Sequence, residues 1–154
     1  MISCKFEDGG EANLRHLVVD AIVVDHGKIL LIKRAKHLTN GGKFAIPGGF
    51  LDRDETAEQA VVREVKEETG YDSVVVKLFT IIDNPDRPQE DRQNVAFVYV
   101  MKPLTQSGVA DSEVSDVRWF DLDQLPSEKD FAFDHYHTIL KYKKNYIAWI
   151  LCYN

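Results

Sequence analysis

The amino-acid sequence predicts an α/β fold in which a mixed β-sheet is sandwiched between helices (α/β/α). Short apolar runs typical of strands follow one another across tight turns, as in the hairpin predicted around His26-Gly27. One amphipathic helix interrupts this series near the middle of the chain, and a second helix is expected near its end. Strands joined partly by hairpins and partly by helices favour a mixed sheet over a doubly wound parallel one.

The strands are predicted from apolar runs bounded by turn residues. The runs lie at 16–24, 28–33, 44–46, 74–82, 95–101 and 117–120. Pro47-Gly48-Gly49 is expected to end the third strand, and polar loops are expected at 84–93 and 105–112. The last helix is predicted from about residue 127 to about residue 144, and the apolar tail after it has no predicted structure.

The central helix has sequence signals at both of its ends. Thr56 is a good N-cap, and Gln59, three residues later, completes a capping-box pattern. Apolar residues recur at helical spacing until Gly70, which stands where a C-terminal glycine is favoured. The sequence therefore predicts a helix over 57–69.

Length and composition predict one domain over residues 1–154. The chain is 44% hydrophobic and 29% charged, as is ordinary for a globular protein. Its net charge of −6 disfavours nucleic-acid binding as the main role, because proteins that grip phosphate backbones are usually basic. The sequence has neither a signal-peptide pattern nor an apolar stretch of membrane-spanning length. We therefore expect a cytoplasmic protein with no membrane partner.

Acidic side chains are concentrated in the second half of the predicted helix. Glu64, Glu67 and Glu68 stand at i, i+3 and i+4, so they share one face. Acids in a last helical turn are unfavourable by roughly 0.3–1 kcal/mol each, because they face the negative end of the helix dipole. A hard divalent cation with oxygen ligands would compensate this charge. The alternative is a solvated acidic face balanced by Arg63 and Lys66.

The spacing of residues in this region resembles the Nudix signature G-x5-E-x7-R-E-U-x-E-E-x-G-U, in which U is a bulky apolar residue. The residues at its fixed positions are Gly49, Glu55, Arg63, Glu64, Glu67, Glu68 and Gly70. Tyr71 takes the last bulky position, where an aliphatic residue is typical. The likeness covers roughly residues 14 to 144. It implies the Nudix fold and a MutT-like hydrolase that cleaves a nucleoside diphosphate linked to another moiety.

The resemblance also implies a divalent-metal site. Glu64, Glu67 and Glu68 match the metal ligands of the family, and the backbone carbonyl of Gly48 or Gly49 would complete the protein side. The expected cofactor is Mg²⁺, with Mn²⁺ as a possible substitute. Such an ion would bridge the diphosphate and activate the attacking water.

Three further roles follow from the resemblance, and the last of them has two candidates. Arg63 is expected to orient a glutamate through a salt bridge, and Glu55 to orient or co-ligate. The general base is either Glu64 or Glu113, which lies in the loop before the late strand.

Short segments outside the signature suggest a substrate class. Residues 84–88 and 133–135 resemble segments of ADP-ribose pyrophosphatases, which implies ADP-ribose or a related nucleoside diphosphate sugar as the substrate. The same segments could instead be an exposed rigid turn and the start of a helix. A histidine near a helix start, such as His135, is more often structural than catalytic.

Four side chains are candidates for substrate contact. Arg34, Arg87 and Arg92 could contact phosphate, and Phe44 could stack on a base. The alternatives are a solvated charge for an arginine and a core position for the phenylalanine.

Three other interpretations stay open at this stage. One is MutT-type hydrolysis of oxidised nucleoside triphosphates to monophosphate and pyrophosphate. Another is a nucleotide-sensing Nudix module without turnover, which the complete set of signature acids disfavours. The resemblance, together with the apolar C-terminal tail, also suggests a homodimer.

Overall fold

The computed structural model describes residues 2–87 and 93–153, with side chains described up to residue 146. The strands are β1 (Ile2–Lys5), β2 (Glu11–Leu14), β3 (Leu17–Asp25), β4 (Lys28–Arg34), β5 (Phe44–Ala45), β6 (Gly48–Phe50), β7 (Tyr71–Ile82), β8 (Val95–Gln106) and β9 (Val114–Asp121). The helices are α1 (Ala57–Thr69) and α2 (His135–Tyr153), with a 3-10 turn at Glu128–Asp130. None of the described helices is long and apolar enough to cross a membrane.

The main sheet is mixed, as the sequence predicts. Its strand order is β5-β4-β3-β8-β7, with β6 paired to β3 and β9 paired to β4. β3 runs parallel to β8, and the other pairs are antiparallel. β3 and β4 pair only beside their turn, at Val24 with Ile29 and Asp25 with Lys28. Beyond that point the two strands take different partners, so the start of β3 is free to receive β6.

Alternation along β3 divides the core into two layers. Val19, Ala21 and Val23 pack in one cluster with buried residues of α1. Ile22 packs in the other cluster with Ile139 of α2. Successive side chains of a strand point to opposite faces, so one strand supplies both layers. The predicted α/β/α architecture is confirmed, with α1 on one face of the sheet and α2 on the other.

The bounds and both caps of the central helix are confirmed. The Thr56 hydroxyl accepts the Gln59 backbone N–H at 3.2 Å, and the Gln59 side chain accepts the Thr56 N–H at 2.8 Å. Gly70 ends α1 in the left-handed conformation, with φ 75°. These local interactions fix where the acid-bearing last turn stops.

The third predicted strand ends before Pro47, as expected, but Gly48 and Gly49 then begin a further strand, β6, that was not predicted. Several other element boundaries differ from the prediction. β8 continues to Gln106, into the predicted polar loop. The C-terminal helix starts eight residues later than predicted, because Phe131 and Ala132 are buried in extended backbone beside Phe44. It also extends through the apolar tail, and the N-terminal hairpin of β1 and β2 is not predicted at all.

Gly70 should tolerate no side chain, for two separate reasons. Its φ lies in the left-handed region, and a Cβ there would be 2.3 Å from the Gly108 carbonyl oxygen. Gly70→Ala should therefore lower the free energy of unfolding by at least about 2 kcal/mol, measured by urea denaturation.

Gly27→Ala is the matched control. Gly27 has φ 77°, but its Cβ would have nothing within 4 Å, so only the backbone cost of about 1 kcal/mol should apply. Equal losses in the two variants would contradict the steric argument at Gly70.

Candidate active site

The backbone of β6 lies directly against the acids of α1. Gly48 stands opposite Asp20 on β3, and a Cβ at Gly48 would lie 2.2 Å from the Val19 carbonyl oxygen. A Cβ at Gly49 would lie 2.4 Å from the Glu64 carboxylate. Gly48 therefore requires glycine, because a side chain there would meet the backbone of β3, whereas a side chain at Gly49 would displace the Glu64 carboxylate.

Glu68 is a buried carboxylate held by this backbone. It is 4% exposed, and its Oε2 accepts the Gly48 N–H at 2.8 Å. Burial raises the pKa of Glu68 well above its ordinary value, more than the Gly48 hydrogen bond lowers it. The carboxylate is thus a charge with one backbone donor in a poorly solvated position.

The Arg63 guanidinium is shared by three carboxylates. Its Nε and Nη2 donate to Glu55 at 3.1 and 2.7 Å, and its Nη1 donates to Glu64 at 2.7 Å and Glu67 at 3.0 Å. Nη2 also donates to the Phe50 carbonyl at 3.1 Å, which ties α1 to β6. These bonds lower the pKa of Glu55 and raise the pKa of Arg63. Burial nevertheless raises the pKa of Glu64, so this acid is only partly compensated.

The acids open onto a cavity of about 540 Å³. The acids in its lining are Glu64, Glu67, Glu68, Asp52, Asp111 and Glu113. The lining also includes residues of different chemistry, among them Asp20, Arg34, Arg87, Phe133 and His135. A diphosphate between two moieties needs such a site, with room beside the charged centre for the attached group.

The arginines and the histidine in the cavity wall are held by neighbouring groups. Arg34 donates from Nε to the Thr39 carbonyl at 2.9 Å, and its guanidinium lies 5.4 Å from the Phe133 ring centre. Arg87 is held by Asp134 in a bidentate ion pair. His135 is 6% exposed, and burial lowers its pKa to about 3, so its imidazole is neutral.

Two predicted site residues lie outside the cavity lining, and a third is not among the described residues. Phe44 does not line the cavity, since its ring packs against Phe120 and Phe131 at 5.1 and 6.3 Å. The core alternative therefore describes this ring better than base stacking. Glu55 is also absent from the cavity lining, and its two oxygens accept from Arg63 and from the Asp52 N–H. Orienting Arg63, rather than co-ligation, fits this position. Arg92 lies outside the described residues.

The donor set fits a hard divalent cation. Glu64 and Glu68 are carboxylates with raised pKa values, Glu67 is half exposed beside them, and Arg63 pairs with Glu64 and Glu67. In the described part of the chain, no group of three such side chains is already gathered at ligand distances. An ion that prefers oxygen ligands and keeps several of its waters, such as Mg²⁺, suits an open, negatively charged site of this kind.

Sequence reasoning missed Asp20 as a cavity residue. Asp20 is 6% exposed and points away from the α1 layer, toward the imidazole of His135. A carboxylate that interrupts an apolar strand was the available signal, because charged residues are rarely buried without a reason.

The NUDIX domain family model matches residues 14–142 of this chain. The chain belongs to the Nudix family. An ADP-ribose pyrophosphatase of Methanocaldococcus jannaschii is 38% identical over 133 residues, which is 86% of this chain and 73% of that relative. This Nudix protein is a hydrolase of the pyrophosphohydrolase type.

Other relatives and solved structures agree with this assignment. An NAD-capped RNA hydrolase NudC of Vibrio atlanticus is 35% identical over 105 residues, but the match spans only 36% of that longer protein. A NUDIX hydrolase structure from Nitrosomonas europaea has a TM-score of 0.74 at 27% identity, covering 86% of this chain and 72% of the other. The NUDIX domain of Shewanella oneidensis NrtR, solved with ADP ribose, has a TM-score of 0.71 at 29% identity, covering 87% and 90%.

The raised pKa of Glu68 predicts a stability effect with a definite sign. A carboxyl whose folded pKa lies above its ordinary value of 4.5 opposes folding once it ionises. Glu68→Gln keeps an acceptor for the Gly48 N–H but removes the charge. In EDTA at neutral pH, this variant should melt a few degrees above the wild type.

Comparison across pH and with a neighbouring acid checks the cause. The difference should shrink as the pH falls toward about 4, where the carboxyl is neutral in both states. Glu67→Gln, at a half-exposed position on the same turn, should not stabilise. A wild type that melts higher than Glu68→Gln at neutral pH would refute the idea.

Proposed function

We propose that this Nudix hydrolase is a divalent-metal-dependent pyrophosphohydrolase of ADP-ribose or a related nucleoside diphosphate sugar. The observation that carries the proposal is the cavity lining, which combines carboxylates with Arg34, Arg87 and Phe133. Cationic side chains suit a phosphate or its neighbouring hydroxyls, and an aromatic ring suits a sugar or base face. The similarity to an ADP-ribose pyrophosphatase supports the same substrate class.

The residues that would hold the metal are Glu64, Glu67 and Glu68, with the Gly48 carbonyl as a backbone ligand. When bound, Mg²⁺ or Mn²⁺ neutralises charge on the diphosphate and lowers the pKa of a water. Arg63 holds two of these carboxylates against each other's repulsion, and Gly48 holds the third. These bonds thus orient the three carboxylates in the lining of one cavity.

Glu113 is our assignment for the general base, with Glu64 as the alternative. Glu64 is already bonded to Arg63, whereas Glu113 comes from a separate loop on the cavity wall. The charge of Glu113 raises the pKa of Glu64, so the two carboxylates are close enough to interact. Glu113 could therefore take a proton from a water that the other acids orient.

Three sequence expectations outside the site stay predictions. They are the single domain over residues 1–154, the homodimer and the cytoplasmic location.

A substrate panel tests the proposed function. ADP-ribose, NADH, nucleotide sugars, diadenosine polyphosphates and 8-oxo-dGTP are each incubated with Mg²⁺, Mn²⁺ or EDTA, and the products are separated by chromatography. We expect hydrolysis only with metal, with ADP-ribose giving AMP and ribose 5-phosphate at least about tenfold faster than the others, or about 1.4 kcal/mol.

The other outcomes of the panel are distinct. Monophosphate and pyrophosphate from 8-oxo-dGTP alone would mean the MutT-type activity. Tight nucleotide binding with no turnover would mean a sensing module. Either result would overturn the proposal.

Substitution of the metal-facing acids should remove turnover without unfolding the protein. Glu67→Gln and Glu68→Gln should each reduce kcat at least about 100-fold, or about 2.7 kcal/mol of transition-state stabilisation. Steady-state kinetics with saturating metal gives the measurement, and thermal melting checks the fold.

Glu58→Gln is the control for these variants. Glu58 is an exposed acid on the first turn of the same helix, so its removal should leave kcat within about twofold. Near wild-type turnover in Glu67→Gln and Glu68→Gln would contradict the assignment of these acids as metal ligands.

Glu113→Gln should lose the acidic limb of the pH–rate profile, because the proposed general base is removed. A retained acidic limb would assign the general base to Glu64 instead.

A further inference from the structure

The start of α2 is fixed at the cavity wall by a buried ion pair. Asp134, the residue before the helix, accepts from Nε and Nη2 of Arg87 at 3.1 and 2.7 Å. The Arg87 side chain is 4% exposed and that of Asp134 is 16% exposed. Bidentate pairs of this kind fix both distance and orientation. The ion pair therefore holds the residue before His135 against the segment that follows β7.

The imidazole of His135 bridges two elements that build the active site. Its Nδ1 accepts the backbone N–H of Ile46 at 3.2 Å. Its Nε2 lies 3.8 Å from Oδ1 of Asp20 on β3. Because Nδ1 accepts a hydrogen bond, the ring proton sits on Nε2 and faces the Asp20 carboxylate.

Residues 46–48, which we name the β5–β6 connector, are held by three hydrogen bonds from different elements. His135 takes the Ile46 N–H, and the Ala21 N–H donates to the Pro47 carbonyl at 2.8 Å. The Gly48 N–H then donates to Glu68 at 2.8 Å. Pro47 has no N–H to donate. The Ile46 N–H is therefore the donor through which α2, by way of His135, holds the connector. A change at Ile46 would turn the following peptides and move the Gly48 donor away from Glu68.

We propose that His135 is a positioning residue for hydrolysis, which sets the Gly48 peptide against Glu68 through the Ile46 N–H. The inference rests on the proposed function in one respect, namely that Gly48 and Glu68 belong to the hydrolytic centre. His135 does not itself act on the substrate in this scheme. Its effect should therefore fall on kcat rather than on the KM for the nucleotide.

Asparagine and glutamine at position 135 form a matched pair of variants. An Asn amide oxygen can reach the place of Nδ1, whereas a Gln amide reaches the place of Nε2. Both lose the aromatic ring, but His135→Asn keeps the acceptor for Ile46, whereas His135→Gln keeps only a group that faces Asp20. We expect His135→Asn to retain kcat within about threefold and His135→Gln to lose at least about tenfold, with the KM for ADP-ribose within about threefold in both.

Thermal melting and amide exchange separate positioning from a merely structural role. Exchange at the Gly48 amide, measured by NMR without metal or nucleotide, should be faster in His135→Gln than in the wild type or His135→Asn. Equal kcat in the two variants, or a change confined to KM, would overturn the proposal. So would Gly48 exchange that is the same in both.

The wild-type protein gives a test that no folding failure can obscure. Nitrogen chemical shifts of His135 should identify the Nε2–H tautomer, and the Ile46 amide should exchange slowly. A proton on Nδ1, or an unprotected Ile46 amide, would overturn the inference. Failure of the wild type to hydrolyse any nucleotide would instead sink the proposed function, and the NMR results would still decide the role of His135 in holding the connector.

Discussion

The active site depends on the sharing of one guanidinium among acids that would otherwise repel one another. Arg63 donates to Glu55, Glu64 and Glu67, and it also reaches the Phe50 carbonyl on β6. A lysine ammonium could not replace it, because only a planar fork presents five donors in fixed directions. The ion-pair network thus does two things at once. It holds the acids in one orientation, and it joins the helix that carries them to the strand that faces them.

Glu68 is stabilised differently from its neighbours. It accepts a backbone N–H from Gly48, and it is almost fully buried. The site therefore combines acids whose charge the protein already compensates with one whose charge it compensates poorly. Electrostatic cost concentrated at one position is typical of functional centres, where the missing charge is supplied by a ligand.

The sequence predicted the parts of this fold that depend on local signals. Thr56, Gln59 and Gly70 gave the bounds of α1, because capping interactions involve neighbours along the chain. The spacing of the signature acids likewise identified the family. By contrast, β6 was missed because its strand character comes from pairing Gly48 with Asp20, and glycines carry no strand signal of their own.

Contacts between distant segments were the other part that the sequence did not reveal. Phe44 was a candidate for base stacking, but its neighbours Phe120 and Phe131 come from elements far along the chain. Arg87 was expected to meet phosphate, and its partner Asp134 could not be inferred from spacing. Pairings of this kind are set by topology, which periodicity does not report.

The parallel pairing of β3 with β8 has a consequence for how this protein folds. It joins residues far apart in sequence, such as Val19 and Phe97, and all of α1 lies between them. Closing so long a loop costs entropy that is recovered only after the strands meet, so this pairing is expected late in folding. The helix can therefore exist early with its caps complete, before β3 and β8 meet.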